Sequence, residues 1–408
     1  MLPTHFLKLL VIITIILLYP IYSRTIPENL IQLKNSIAVF DLYTNELVYQ
    51  RNAKEQLIPA SVAKLITTIN ALSVLSPYYV FEVQIYKRDN RILISSNYNP
   101  SLIEEIIPDP YNFLKEGIRN ILEANQIENI QTVEIDNSLP SYYPESWKIY
   151  EGEPFAPYIS TFSFNQNMIK IQRIQDKLTI YPSAFPELQD QNILSNLISN
   201  LTYIDGAYWY VYPSPEEYIK KIIRKLFIDL GYNVNVTLKT TVDYNHYDNI
   251  GSFPTCFLIQ ALKQQNFWSD NFISQKLYYK LKFEKKFDIN QEYSGLGIVM
   301  DDGCGLSRKN RINCYSLAML LSLMDDYYLL PYLIYTLPGY NEGTLQKRNL
   351  PRTIKAKTGT LNDVSSLAGY VKTKKNKWYS FSIIYNGPYT YQAKVIEEQI
   401  LNYIYSNW

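Results

Sequence analysis

Residues 59–77 predict a helix without a polar side, and this segment constrains the fold more than any other part of the sequence. Pro59 precedes a run in which apolar residues recur at helical spacing, and Pro77 ends that run. A helix that is apolar on nearly every side is buried inside a domain, because it offers water no polar face. We therefore expect other elements to surround this helix.

A β-rich segment, residues 79–244, lies between two parts of the chain whose sequence patterns differ from its own. Before it, residues 36–50 predict a hairpin around the polar turn Tyr43-Thr44-Asn45. Within it, short strands alternate with helices and with loops rich in Pro and polar residues. The predicted strands are 81–86, 91–95, 131–135, 168–171 and 178–181, and the predicted helices are 111–124 and 216–230.

Long helical patterns return from residue 253, and strands at 368–372 and 378–385 precede a last helix at 391–405. At about 100–200 residues per domain, a chain of this length predicts two or three domains. The mixture of elements predicts an α/β (α+β) fold class.

The charge balance argues against nucleic acid as an obligate partner. The chain has 39 Lys+Arg and 38 Asp+Glu, for a formal net charge of +1. Binding to phosphates normally requires a basic excess, which this composition lacks.

Histidine is nearly absent from the sequence, with 2 residues in all. His5 lies in a predicted leader, and His246 lies in a polar stretch that predicts a surface loop. A metal site with two or more histidines is therefore excluded for the mature chain. If the chain is an enzyme, we expect its acid–base work to fall to Lys, Tyr or a carboxylate.

Three cysteines, Cys256, Cys304 and Cys314, are too few for a disulfide scaffold. Cys304 and Cys314 could form a disulfide in an oxidising compartment, but we interpret all three as buried thiols. The sequence has no C-x-x-C and hence no redox or zinc motif of that kind.

Residues 1–23 predict an export signal. Lys8 precedes an apolar run from Leu9 to Leu18, which is shorter than the ~20 residues that a membrane-spanning helix needs. Bulky Ile21 and Tyr22 stand where a cleavage site prefers small residues, so an uncleaved N-terminal anchor is the alternative. Both interpretations export the chain.

Ser61 and Lys64 form an S-x-x-K motif at the start of the apolar helix. Residues i and i+3 share a helix face, so the hydroxyl and the amine can come within hydrogen-bond reach. Burial lowers the pKa of a lysine, and a neutral amine can take a serine proton without a histidine. The alternative is a capping serine followed by a solvent-facing lysine.

Ser269-Asp270-Asn271 stands where a helical pattern begins again. In the functional interpretation, Ser269 is a second hydroxyl between Lys64 and the leaving group, and Asn271 hydrogen-bonds a substrate amide. The alternative is an N-cap before Phe272.

Lys357-Thr358-Gly359 follows a predicted strand at 352–357. Here Lys357 would attract a substrate carboxylate and Thr358 would hydrogen-bond it, while Gly359 permits a close approach of ligand to backbone. An exposed basic strand end is the alternative.

S-x-x-K, S-D-N and K-T-G, in this order and behind an export signal, resemble the signature set of penicillin-binding proteins and serine β-lactamases. Longer stretches narrow the resemblance to the class C penicillin-binding proteins, the D-alanyl-D-alanine carboxypeptidase/endopeptidase group of the penicillin-binding protein 4 type. It spans about residues 30–390. The stretches that carry it are IPASVAKLITT (58–68), NPSL (99–102), PESW…FAPYISTFSFNQN (144–167), DDGCGLSRKN (301–310), GYNEGTL (339–345) and KAKTGTLNDVSSLAGYV (355–371).

The resemblance implies a serine β-lactamase/transpeptidase-like catalytic domain that is discontinuous in sequence, built from 26–75 and 245–408. Residues 76–244 would form a large inserted α+β domain, as one unit or as two subdomains. This insert coincides with the β-rich segment identified independently above.

The implied activity is that of a serine-type D-Ala-D-Ala carboxypeptidase with D,D-endopeptidase activity, which trims peptidoglycan stem peptides through an acyl-enzyme on Ser61. The resemblance implies peptidoglycan stem peptides as substrate, β-lactams as covalent inhibitors and no cofactor or metal, and it leaves the oligomeric state open. The implied location is the periplasm or the outer face of the bacterial cytoplasmic membrane. The implied catalytic residues are Ser61, Lys64, Ser269, Asn271 and Lys357. In the implied mechanism Lys64 is the general base for Ser61, and Ser269 relays a proton to the leaving amine together with Lys64 or Lys357. The implied oxyanion hole is formed by the N–H groups of Ser61 and Thr360, and the implied substrate-binding residues are Asn271, Lys357, Thr358 and Gly359.

One departure and three alternatives accompany the resemblance. Cys304 stands where the family usually has the Ser of a D-G-S-G-L-S-R run, which makes it the thiol most able to perturb the site. A non-catalytic muropeptide-binding protein with a degenerate site is one alternative. A serine β-lactamase is another, but no dedicated carboxylate for activating water is identifiable. A His-dependent serine hydrolase would have to use His246, and the sequence has no G-x-S-x-G.

Overall fold

The computed structural model describes residues 24–141, 143–174, 177–199, 203–204 and 207–408. The predicted leader at 1–23 lies outside the described residues. Across the described ranges, no helix is both long enough and apolar enough to span a bilayer.

The described residues form fourteen strands and ten α-helices. The strands are β1 (Ser36–Asp41), β2 (Leu47–Arg51), β3 (Val80–Arg88), β4 (Arg91–Ser95), β5 (Thr132–Asp136), β6 (Met168–Ile174), β7 (Lys177–Tyr181), β8 (Tyr203–Ile204), β9 (Ala207–Val211), β10 (Asn235–Lys239), β11 (Asp248–Phe257), β12 (Lys355–Leu361), β13 (Val364–Lys372) and β14 (Trp378–Asn386). The helices are α1 (Ala63–Leu75), α2 (Pro110–Ala124), α3 (Gln191–Ile198), α4 (Pro215–Asp229), α5 (Leu258–Trp268), α6 (Asn271–Tyr279), α7 (Ile289–Glu292), α8 (Cys314–Ser322), α9 (Leu330–Thr336) and α10 (Thr390–Asn407).

The first sheet contains the strands from the two ends of the chain, in the order β12-β13-β14-β1-β2, and each neighbouring pair is antiparallel. The hairpin predicted at 36–50 is confirmed as the β1–β2 edge of this sheet. Ala38 and Phe40 share a core with α8, whereas Ile37 and Val39 share a second core with α10. Because successive side chains of a strand point to opposite faces, the sheet is covered by helices on both sides.

The segment between α1 and α5 forms two more sheets. In one, β10-β5-β4-β3-β11, strands β4, β5 and β10 are parallel to one another, and β3 is antiparallel to β4 and β11. The other, β7-β6-β9-β8, is antiparallel. Residues from both sheets, α2 and α4 share one hydrophobic core. We therefore propose a single inserted domain rather than two subdomains.

Residues 248–257 differ from the prediction, which placed 245–408 in the catalytic domain and a helical pattern from 253. In the structure they form β11, which pairs with β3 from Asp248–Lys87 to Phe257–Val80, and α5 begins only at Leu258. Pro254 lies within this strand, and β11 tolerates it because it is an edge strand. One apolar run spans the end of the strand and the start of the helix, so its periodicity could not locate the boundary. We propose that the chain leaves the inserted segment at Phe257.

Helix α1 is buried, as predicted, and α5, α6 and α9 pack around it. Its polar side chains find partners inside the protein. Thr67 Oγ1 donates to the Gly303 carbonyl at 2.7 Å, and Asn70 Oδ1 accepts from the Tyr293 hydroxyl at 3.0 Å. Because these hydrogen bonds replace the bonds that the polar side chains would make to water, the side chains can be buried with the rest of α1.

The cysteines and the described histidine agree with their predictions. Cys256, Cys304 and Cys314 are buried and unpaired, so Cys304 and Cys314 do not form a disulfide. The His246 side chain is exposed in the turn Tyr244–His246.

A buried lysine of α6 holds the inserted segment to the rest of the fold. Lys276 Nζ donates to the carbonyl oxygens of Ser160 and Thr161 at 2.9 and 3.1 Å and to Ser163 Oγ at 3.1 Å. Burial lowers the pKa of Lys276 well below its ordinary value, and the nearby charge of Lys280 lowers it further. Lys276 therefore joins α6 to the loop at 160–163.

We expect Lys276→Met to reduce the free energy of unfolding by about 1–3 kcal/mol, because three buried acceptors lose their donor. The pKa of Lys276 is lower in the folded chain than in the unfolded chain. Between these two pKa values the unfolded state binds an extra proton, so wild-type stability gains a contribution that rises with pH. Urea denaturation should therefore show a gap between wild type and variant that widens from neutral pH towards pH ~10.

Lys282→Met, at an exposed position three residues after Tyr279, is the control and should leave the stability nearly unchanged. A gap between wild type and Lys276→Met that stays constant with pH would contradict a lowered pKa of Lys276 in the folded chain.

Candidate active site

The segment 58–61, which leads into α1, is fixed to the ends of three strands. Asn386 binds the backbone of Ile58 twice, accepting from its N–H at 2.8 Å and donating to its carbonyl at 3.0 Å. Ser366 Oγ donates to the Pro59 carbonyl at 2.7 Å. Ala60 then adopts a left-handed conformation, with φ of 49°, which is costly for a residue other than glycine. The strand ends thus hold Ser61 in a backbone position that the local sequence alone would not favour.

Gly359 of β12 permits a close backbone approach to Ser61. A Cβ at this position would lie 2.9 Å from both the Ser61 nitrogen and the Pro59 carbonyl oxygen, and 2.2 Å from Ser366 Oγ. Since backbone atoms cannot move aside as a flexible side chain can, only glycine fits here. The sequence predicted that a ligand comes close to the Gly359 backbone. In the structure, the Ser61 segment of the chain itself makes this close approach.

The Lys64 side chain has no exposed surface and three hydrogen-bond partners. Its Nζ lies 2.7 Å from the Cys304 carbonyl oxygen, 2.7 Å from Asn271 Oδ1 and 3.0 Å from Ser61 Oγ. Burial lowers the pKa of Lys64, and the carboxylates of Asp302 and Asp270 oppose part of that shift. The amine therefore loses its proton more readily than an exposed lysine.

The neighbours of Lys64 set the orientation that its amine takes when it is neutral. Asn271 Nδ2 donates to the Phe155 carbonyl at 2.8 Å, which fixes Oδ1 as the atom that faces Lys64. Both Oδ1 and the Cys304 carbonyl can only accept, so they take the two N–H groups of a neutral amine. The remaining lone pair faces the Ser61 hydroxyl, in the geometry of a base and a nucleophile.

The turn between α5 and α6 carries Ser269, Asp270 and Asn271. Ser269 ends α5 in a left-handed conformation, with φ of 61° and ψ of 36°, and the Asp270 side chain caps α6 by accepting from Ile273 N at 2.8 Å. Burial raises the pKa of Asp270. The predicted N-cap is therefore present, with Asp270 as the capping residue, and it orients Asn271 towards Lys64.

Ser269 and Lys357 form a second pair. Lys357 Nζ donates to Ser269 Oγ at 3.0 Å and to the Thr358 carbonyl at 2.8 Å. Burial and the charge of Lys64 lower the pKa of Lys357 well below its ordinary value. The described contacts thus join Ser269 to Lys357, one of the two lysines that the resemblance implied as its partner.

The remaining predicted residues lie along β12. Thr358 is half-buried, and its Oγ1 lies 2.8 Å from Thr344 Oγ1, while Thr360 is exposed. The predicted strand at 352–357 is observed further along the chain, as Lys355–Leu361. All three motifs therefore reach one region, between α1, the α5–α6 turn and β12.

Sequence reasoning missed two groups that contact the site through their backbone, the carbonyls of Phe155 and Cys304. A carbonyl oxygen is present in every residue, so no residue type signals this role. In the sequence the DDGCGLSRKN run contributes to the resemblance, and its contacts with the site become apparent only in three dimensions.

Within the part of the chain that the structure describes, no group of three or more His, Cys, Asp and Glu side chains is placed to hold a metal ion.

Comparison with known proteins links the chain to one family. A model of the D-Ala-D-Ala carboxypeptidase 3 (S13) family matches residues 22–195 and 206–404. No curated protein sequence gives a significant match.

Solved structures share the fold at low sequence identity. Penicillin binding protein 4 (dacB) from Haemophilus influenzae superposes with a TM-score of 0.73 at 18% identity, covering 91% of this chain and 96% of that chain. The predatory peptidoglycan endopeptidase Bd3459 from Bdellovibrio bacteriovorus gives a TM-score of 0.53 at 18% identity, over 91% and 92%. The penicillin G-acylated form of Bd3459, in complex with immunity protein Bd3460, gives a TM-score of 0.53 at 17% identity and covers 91% of each chain. These likenesses confirm the predicted fold class.

Ser269 offers a way to separate function from stability. Glycine adopts the left-handed conformation at no steric cost, whereas other residues pay about 1 kcal/mol or more. We therefore expect Ser269→Gly to fold with wild-type stability, and Ser269→Ala to be less stable than Ser269→Gly. Both variants lose the hydroxyl, so labelling by a fluorescent penicillin should slow by about 10²-fold or more in each. Wild-type labelling rates in the glycine variant would contradict a chemical role for Ser269.

Proposed function

The chain belongs to the D-Ala-D-Ala carboxypeptidase 3 (S13) family, a family of serine peptidases, and from this membership and the site geometry we propose how its residues carry out the reaction. The family match confirms the resemblance drawn from the three motifs. The proposal depends on one observation above all, the 3.0 Å contact between Ser61 Oγ and the Nζ of a fully buried Lys64.

Ser61 is the nucleophile in this proposal. Its Oγ attacks the carbonyl carbon between the two D-alanines of a peptidoglycan stem peptide, while the Lys64 lone pair takes the hydroxyl proton. The amine is held for this step because its N–H groups bind Asn271 Oδ1 and the Cys304 carbonyl. A base that is fixed next to its nucleophile loses little entropy on reaching the transition state.

Ser269 and Lys357 deliver a proton to the leaving D-alanine amine. The 3.0 Å contact of Lys357 Nζ with Ser269 Oγ supports Lys357 as the partner that resupplies the Ser269 hydroxyl. Collapse of the tetrahedral intermediate then breaks the peptide C–N bond and leaves the acyl group on Ser61 Oγ. Water hydrolyses that ester: the protonated Lys64 returns its proton to Ser61 Oγ as the ester C–O bond breaks, and the proton lost by the attacking water replaces the one that Ser269 and Lys357 gave to the leaving amine.

The β12 strand provides the binding edge. We assign the oxyanion hole to the N–H groups of Ser61 and Thr360, each worth ~10²–10³ in rate. The close approach of Gly359 to Ser61 N supports this assignment, because it brings the strand against the nucleophile. Lys357, Thr358 and Gly359 bind the terminal carboxylate in this proposal. Thr358 contributes a hydroxyl, and Lys357 contributes a positive charge when its amine is protonated.

Asn271 binds the substrate peptide amide. Its Oδ1 and Nδ2 each contact one protein group, and each keeps one more hydrogen-bonding position. Asn271 can therefore touch Lys64, the Phe155 carbonyl and a substrate at the same time.

The same acyl-enzyme chemistry extends to two further reactants. Cleavage of a D-alanyl cross-link, a D,D-endopeptidase reaction, needs only a different leaving amine. β-Lactams present a carbonyl similar to that of D-alanyl-D-alanine and should acylate Ser61. We place the protein outside the cytoplasm, in the periplasm or on the outer face of the membrane, because peptidoglycan lies there.

Mass spectrometry of digested muropeptides tests the proposal. Wild-type protein should remove one alanine from pentapeptide stems and convert cross-linked dimers to monomers. The Ser61→Ala variant should yield neither product, because it lacks the nucleophile. The masses of the products would also identify the third residue of the stems that it accepts.

Ser73→Ala is the matched control, since Ser73 lies on the same helix with its Oγ bound to the Ile69 carbonyl at 2.9 Å, away from the site. We expect it to digest muropeptides as the wild type does. Release of alanine by Ser61→Ala at the wild-type rate would overturn the nucleophile assignment, and a wild-type protein that yields neither product would overturn the proposed activity.

A further inference from the structure

Asp302 is fully buried in the DDGCGLSRKN loop and collects an unusual number of hydrogen-bond donors. Its two carboxylate oxygens accept from five N–H donors, three on the loop backbone and two on side chains. The donors are Cys304 N (3.2 Å), Gly305 N (2.7 Å), Ser307 N (2.7 Å), Asn310 Nδ2 (2.7 Å) and Trp147 Nε1 (2.8 Å), and the Cys304 thiol lies 3.6 Å away. A carboxylate with this many donors fixes the path of the loop around it.

The loop that Asp302 organises directs two carbonyl groups at the central helices. The Gly303 carbonyl accepts from Thr67 Oγ1 of α1 and from Ser274 Oγ of α6, both at 2.7 Å. The next carbonyl, that of Cys304, accepts from Lys64 Nζ. The loop conformation therefore decides where one of the three partners of Lys64 stands.

Gly305 places the same loop against the nucleophile. It has φ of +89°, and a Cβ there would lie 1.9 Å from the Ala60 carbonyl oxygen and 3.0 Å from Ser61 N. No residue with a side chain fits at that distance. The backbone of the loop thus packs directly against the residues that present Ser61.

Trp147 brings the inserted segment into this arrangement. It lies in the turn Glu145–Tyr150, is fully buried, and its indole N–H is the donor to Asp302 Oδ2. Through Trp147, the inserted segment therefore contacts Asp302, and Asp302 fixes the loop whose Cys304 carbonyl binds Lys64.

We propose that Asp302 is a positioning residue for the acylation step: it holds the Cys304 carbonyl on the Lys64 amine, supplies a negative charge beside that amine, and is itself held by Trp147. This inference rests on the proposed function, in which Lys64 is the base for Ser61.

The charged and titratable groups around Lys64 come from three elements. Asp270 stands at the start of α6, Asp302 and Cys304 lie on the loop, and Lys357 lies on β12. Burial raises the pKa of the Cys304 thiol well above its ordinary value, so the thiol stays uncharged at neutral pH. Asp270 and Asp302 favour the ammonium form of Lys64, whereas a charged Lys357 disfavours it. Removing the charge of Asp302 should therefore lower the pKa of Lys64.

The pH dependence of penicillin acylation tests the proposal with Asp302→Asn in the full chain. The rate constant rises with pH as Lys64 loses its proton, which gives an acidic limb. In Asp302→Asn we expect this limb to move to lower pH by about 1 unit, in the range typical of removing one nearby opposite charge. The plateau rate should fall about tenfold or more, since asparagine cannot accept from all the donors.

Asp301→Asn is the matched control, because it removes the same charge from the adjacent, exposed residue and leaves an amide oxygen that can accept from Ser307 Oγ as Asp301 Oδ2 does. Its limb and plateau should coincide with those of the wild type. A loop that served only folding would lower the plateau without moving the limb, so an unmoved limb in folded Asp302→Asn would overturn the inference. If the wild-type protein is not acylated at all, the proposed function itself fails, and the two failures are thereby distinguishable.

Trp147→Phe provides a second variant that keeps the carboxylate and most of the packing. It removes one N–H dipole whose positive end faces Asp302, so the negative charge is less screened at Lys64. We expect the limb to move to higher pH, opposite to Asp302→Asn, by a smaller amount. Trp209→Phe, which changes a buried tryptophan on β9, is the control and should leave the limb in place. A limb that is unmoved or moves to lower pH in Trp147→Phe would overturn the link to the inserted segment.

Discussion

Lys64 brings an amine into the buried first turn of an apolar helix, and its hydrogen bonds to Asn271, the Cys304 carbonyl and Ser61 connect the parts of the site. Water cannot reach the amine, so these partners set its orientation and its protonation. Each partner belongs to a different element: the first residue of α6, the loop at 301–310 and the segment before α1. A shift in any of the three would change which way the lone pair points.

The fold meets this constraint by bringing distant segments against one helix. The sheet formed by both ends of the chain presents Gly359 to the Ser61 segment, where any side chain would collide. The inserted segment, although it builds its own sheets and core, reaches the site through the Phe155 carbonyl and the Trp147 indole. Strain at Ala60 and Ser269, both in left-handed conformations, is maintained by these surroundings. The insert therefore contributes to the position of the catalytic groups.

Local patterns in the sequence predicted what depends on local geometry. The spacing of Ser61 and Lys64 on one helix face, the burial of that helix and the β1–β2 hairpin all follow from periodicity, and the structure has each of them. Pairings between distant segments were harder to predict: the motifs left the partner of Ser269 open between Lys64 and Lys357, and they did not predict that Asn271 contacts Lys64. The three-residue motif has a left-handed residue at its start, which turns neighbouring side chains in different directions. A pattern of residue propensities does not predict these side-chain directions. It also does not predict which backbone carbonyls complete the site.

The central claim is that a buried, neutral Lys64 removes the proton of Ser61. Its most direct measurement is peptide mapping by mass spectrometry after exposure to benzylpenicillin, in wild type and in Lys64→Met, which fills a similar volume without an amine. The account predicts a single penicilloyl adduct on Ser61 in the wild-type protein, within the tryptic peptide 55–64, and no adduct on the same timescale in folded Lys64→Met. An adduct on a residue other than Ser61, or equal acylation of Ser61 in the two proteins, would contradict it.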